Sequence, residues 1–72
     1  MDKIERTMLE VISQDPSASI TDVINLISEE ERITEVKARI AFNNLKIKKL
    51  IIADESIGMV LVSEKGSTLL KN

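Results

Sequence analysis

The sequence contains no cysteine, histidine, tryptophan or tyrosine, and its only aromatic residue is Phe42. Without Cys or His there is no disulfide, no zinc site of the thiolate or imidazole kind, and no thiol or imidazole nucleophile. General acid–base chemistry would rest on Asp, Glu or Lys. There is no glycine-rich phosphate loop, nucleophile–base pair or metal-ligand cluster to support it. These absences point away from an enzyme and away from any metal or other cofactor. Long hydrophobic runs are missing too. Leu50 to Ala53 and Met59 to Val62 are four residues each, against the ~20 needed to span a bilayer. Met1 is followed by Asp2, Lys3, Glu5 and Arg6 rather than by an apolar leader, so no membrane association and a cytoplasmic location are expected.

What is present is an ordinary globular balance: 72 residues, 43% hydrophobic and 31% charged, with two glycines and one proline. A chain of this length makes one domain, taken as residues 1–72, around one aliphatic core of Ile, Leu and Val. The net charge of −2 hides a separation. From Arg32 to Lys49 six bases face Glu35 alone, a net of +5, and the rest of the chain carries −7. An acidic average therefore does not exclude a nucleic-acid partner.

The order of elements follows from capping residues and periodicity. Asp2 and Glu5 form a capping-box pattern opening a first helix, roughly 2–14, in which Ile4, Met8, Val11 and Ile12 recur at helical spacing. Leu9 lies off that stripe. Asp15-Pro16 stops the helix. Ile20 can make a short extended contact, and Thr21 is the favoured cap, over Ser19, for a second helix carrying Val23, Ile24, Leu26 and Ile27. Its acidic end, Glu29-Glu30-Glu31, opposes the helix dipole and should fray; it reads as a solvated turn rather than a calcium site. Thr34 then caps a third helix reaching about Lys49. The runs Leu50–Ala53 and Met59–Val62, separated by Asp54 to Gly58, read as a β-hairpin. Ser63 caps a short closing helix.

Three helices, a hairpin wing and a short C-terminal helix are the α+β order of a winged helix-turn-helix domain. The segment TEVKARIAFNNLKIKKLI, Thr34 to Ile51, resembles the recognition-helix pattern of that family, ending in a "kkGLI"-type exit. The stretch Ser63-Glu64-Lys65-Gly66 with Leu69-Leu70 is similar to the "LTEKGxxLL" ending of winged-helix regulators of the MarR and PadR type. The resemblance implies a DNA-binding domain of a small transcriptional regulator whose third helix enters the major groove. Two departures stand out. Lys49 occupies the place of the exit glycine, and the wing carries Asp54 and Glu55 but no Lys or Arg.

The third helix has two apolar stripes. Matching Leu50-Ile51 to the family's exit turns Ala38, Ala41, Phe42 and Leu45 inward, leaving Glu35, Val36, Arg39, Ile40, Asn43, Lys46 and Ile47 outward. On that face Arg39 suits guanine and Asn43 adenine, while Val36 or Ile40 can touch a thymine methyl. Lys37, Lys48 and Lys49 would meet phosphate. Thr34, at the start of the helix, and Lys46 complete the expected DNA-binding set. So small a binder of double-stranded DNA is expected to act as a homodimer, with Leu9 and Leu69-Leu70 as candidate dimer surfaces. Two other readings of the same residues stay open. A charge-rich helix can be a solvated face only, and exposed Val36, Ile40 and Ile47 equally suit a protein-docking adaptor.

Overall fold

The computed structural model describes residues 1–71. The fold is α+β, with α1 (Lys3–Gln14), α2 (Ile20–Glu31), α3 (Glu35–Ile47), β1 (Ile51–Asp54), β2 (Met59–Val62) and α4 (Glu64–Lys71). The strands pair antiparallel, with Ile51 opposite Val62 and Asp54 opposite Met59. None of these helices is long and apolar enough to cross a membrane.

Each helix starts on a side-chain cap. Asp2 accepts from the Glu5 amide at 2.8 Å, but the Glu5 carboxylate does not reach back as the capping-box pattern suggests. It turns inward, where it meets α3. The reciprocal box lies instead at α2: Ser19, not Thr21, is the cap, its Oγ accepting from Asp22 N while Asp22 Oδ2 accepts from Ser19 N. Thr21 lacks an acid three positions on, and Asp22 suits Ser19. Ser19 also bridges to Met59, and the Ile20 amide donates to Gly58 O at 2.9 Å, which realises the short extended contact and ties the start of α2 to β2.

The acidic end of α2 is closed rather than frayed. Arg32 takes a left-handed conformation, φ 54°, and the Ile33 amide donates back to Ser28 O at 3.1 Å. Helix α3 ends two residues earlier than its periodicity suggests. The Leu50 amide donates to Leu45 O and the Lys49 amide to Lys46 O, both at 3.0 Å, so a Schellman closure consumes Lys48, Lys49 and Leu50. For the same reason β1 begins at Ile51 rather than Leu50. Lys49 sits at φ 61°, the left-handed position that glycine occupies without steric cost. Lys49→Gly is accordingly expected to stabilise the fold by about 1 kcal/mol, read from the denaturant midpoint at unchanged slope.

The core collects Met8, Leu9 and Ile12 from α1, Val23 and Ile27 from α2, Phe42 and Leu45 from α3, and Ile51 and Val60 from the hairpin. Leu9 is fully buried, because α1 is covered by both α3 and β2 and its apolar arc is wider than one stripe. It cannot serve as a dimer surface. Leu69 and Leu70 are half-buried and pack on the same core. The first stripe of α3 faces inward: Ala38, Phe42 and Leu45 have no exposed surface and Ala41 very little.

Candidate nucleic-acid interface

Turning Phe42 inward turns the opposite side of α3 outward. Val36 is 70% exposed, Ile40 54% and Ile47 77%. Asn43 is exposed between them, and Glu35 and Lys37 flank them on the first turn. A groove at the start of this face runs between α2 and α3, lined by Thr21, Ile24 and Asn25 on one side and Val36, Arg39 and Ile40 on the other. Asn25 joins the candidate set only here, because no motif marks it and the packing of α2 on α3 alone brings it beside Val36.

The cations are distributed differently from the sequence expectation. Arg39 and Lys46, seven positions apart and therefore on one side of the helix, both reach the carboxylate of Glu55 at the tip of the hairpin. Lys46 Nζ donates to Glu55 Oε2 at 2.6 Å, and Arg39 Nη2 donates to Glu55 Oε1. The guanidinium of Arg39 also lies 5.1 Å from the centre of the Phe42 ring. Hydrogen bonds from Lys46 and then Arg39 lower the Glu55 pKa from 4.5 to about 2. Folding thus depresses this carboxyl, so the contact contributes above about pH 4.5 and is lost as the pH falls through about 2. The acidic turn of the wing is folded against the basic side of α3 through Glu55.

Lys48 is turned to the other side. Its Nζ donates to Glu5 Oε1 at 2.5 Å, and Asn44 Nδ2 donates to Glu5 Oε2 at 3.4 Å. Among the described residues Glu5 is the one charged residue buried in the core, 4% exposed, and it fastens α1 to the end of α3. A buried carboxylate needs such partners, because an unpaired charge in this setting is costly. Lys48 is therefore paired with the core carboxylate rather than free. The Thr34 hydroxyl is also committed, accepting from the Lys37 amide at 3.1 Å as the α3 cap. Lys37 and Lys49 form no ion pair among the described residues. The expected site divides into an exposed strip of Val36, Ile40 and Asn43, a closed pair of Arg39 and Lys46, and Lys48 directed elsewhere.

The closed pair was illegible in the sequence. Glu55 lies 16 positions from Arg39, and only hairpin closure brings them together. The one local signal was Asp54, whose Oδ1 accepts from Ser56 N at 3.1 Å and Ser56 Oγ at 2.6 Å, setting the turn that presents Glu55. No protein-family model, characterised protein or solved structure matches this chain.

Proposed function

We propose that this chain is a winged-helix DNA-binding domain of a small regulator, acting in the cytoplasm as a homodimer, with α3 entering the major groove. The observation that carries the reading is the outward strip of α3. Its aliphatic and amide side chains, Val36, Ile40 and Asn43, stand exposed on a helix whose opposite face is completely buried. Such a mixture matches base edges, where Asn pairs with adenine and aliphatic groups meet thymine methyls. Arg32, Lys37 and Lys49 lie along the same basic segment and suit phosphate. The three-residue turn between α2 and α3 places Thr21 and Asn25 beside the strip, adding contacts from α2.

The test is a gel-shift series on random-sequence duplexes at two salt concentrations, followed by selection of preferred sites. Wild type should retard DNA at low salt, and retardation should weaken steeply as salt rises. Asn43→Ala should relax the preference at one base position by about 1–3 kcal/mol. Absence of retardation at low salt would reject DNA binding.

A second reading, a protein-docking adaptor, is favoured by the 77% exposure of Ile47 together with the outer face of the hairpin, where Ile52 is 62% and Leu61 43% exposed. In that case Val36→Ser with Ile40→Ser should abolish partner capture, while DNA affinity stays low and salt-sensitive throughout.

A further inference from the structure

We infer that Arg39 and Lys46 form a two-pronged clamp for a DNA phosphate, and that Glu55 of the hairpin turn occupies the phosphate's place in the free protein. The inference rests on the DNA-binding reading of α3 and assigns these two cations to the backbone rather than to base edges.

The geometry carries it. Seven residues along a helix is about 10 Å, two turns, so Arg39 and Lys46 approach a common anion from the two ends of one face. Each takes a different oxygen of the same carboxylate. A phosphate offers two unesterified oxygens to the same kinds of donor, and Arg and Lys are the side chains that most often meet it. The clamp is reached from solvent: Glu55 is 44% exposed at the side chain, Arg39 36% and Lys46 35%. Nothing else holds Glu55, since these two contacts are its only side-chain hydrogen bonds among the described residues. The turn that carries it, Glu55 to Gly58, contains no cation that would gain from staying near DNA. A phosphate arriving at α3 must therefore displace Glu55, and the displaced carboxylate then faces an anionic backbone. Glu55 lowers the affinity for every DNA sequence alike and leaves selection to Val36, Ile40 and Asn43.

The neighbouring Asp54 supplies the control. Among the described residues its side chain bonds only to Ser56 within the turn, so Asp54→Asn removes the same charge from the wing and keeps the turn. Duplex binding is measured across a salt series for wild type, Glu55→Gln, Asp54→Asn and the double variant Glu55→Gln with Arg39→Ala. All four are checked for folding by circular dichroism. Glu55→Gln should bind random-sequence duplex about tenfold more tightly at low salt, with a log K against log salt slope steeper by about 1–2, the signature of one or two additional cations neutralising phosphate. Arg39→Ala should cancel most of that gain, and Asp54→Asn should give a small fraction of it. If wild type binds and Glu55→Gln leaves affinity and slope unchanged, the clamp is wrong while DNA binding by α3 stands. An equal gain from Asp54→Asn would reduce the effect to net charge and overturn the clamp. Weaker binding by Glu55→Gln would make Glu55 a support for Arg39 and overturn it too. If neither wild type nor Glu55→Gln retards DNA at low salt, the reading and the inference fall together.

Discussion

Phe42→Ala is expected to lower the free energy of unfolding by about 3–5 kcal/mol, the usual cost of deleting a buried aromatic ring. The ring has no exposed surface and is the largest of the fully buried side chains, in a core cluster that also includes Met8, Leu9, Ile12, Val23, Ile27 and Leu45. A domain of this length has only about 4–11 kcal/mol in total, so the variant should be close to unfolded at ordinary temperature. Denaturant titration measures the loss. Phe42→Leu should recover more than half of it by restoring volume, yet it removes the ring face beneath Arg39. A midpoint for Phe42→Ala within error of wild type would mean that α3 does not pack through this stripe. The outward strip on which the DNA reading rests would then be wrong as well.

Gly66→Ala should destabilise by about 2–3 kcal/mol, although alanine is the better helix former by about 1 kcal/mol. Gly66 lies inside α4, where the backbone of the helix is pressed against the exit of α3. A methyl group there would overlap the carbonyl oxygen of Leu50 and lie 2.9 Å from Val62 Cγ1. The Leu50 carbonyl has no room to retreat, since it accepts from the Ser63 amide at 3.0 Å while Ser63 Oγ donates to Lys49 O at 2.7 Å. At this chain length the loss corresponds to a fall in Tm of roughly 10–20 °C. Ser67→Ala, one residue on and exposed, is the matched control and should be neutral or slightly stabilising. If Gly66→Ala were as stable as Ser67→Ala, α4 would not be docked on the α3 exit. The glycine of the "EKG" stretch would then have no structural reason there.

The joint against which Gly66 packs is held from several sides. The end of α3, the start of β1 and the start of α4 meet at Leu50, and the Lys65 ammonium adds a bond to Lys48 O at 3.2 Å. Glu5 fastens the other side of that joint through Lys48 and Asn44. The orientation of α3 is therefore set from three directions, and a helix meant to present one face outward needs that restraint.

Much of this was readable from the amino-acid sequence. The order of helices and strands and the two apolar stripes of α3 follow from periodicity, because a helix repeats every 3.6 residues whatever it packs against. That Ala38, Ala41, Phe42 and Leu45 form the inward stripe, leaving Val36, Ile40 and Ile47 exposed, follows from the resemblance of Leu50-Ile51 to the winged-helix exit and agrees with the burial. Cap and strand limits are less legible. Thr21 and Ser19 are both competent caps, and the choice went to the residue with an acid three positions on. Leu50 continues an apolar run by composition, but its amide is taken by the Schellman closure of α3. Leu9 is buried because two elements cover α1, a fact of packing that one stripe on one helix does not contain.

Charge was the part that only the tertiary structure decided. The sequence by itself determined that six bases gather between Arg32 and Lys49 and that the wing is acidic. It could not determine which bases remain open, because ion pairs depend on distances between residues far apart in the chain. Lys48 meets Glu5 across 43 positions, and Arg39 meets Glu55 across 16. Local sequence sets what a segment can be, through backbone preference and side-chain spacing. Long-range electrostatics is set by where the core places the surfaces, and here it turns an apparently open basic helix into one already holding an anion of its own.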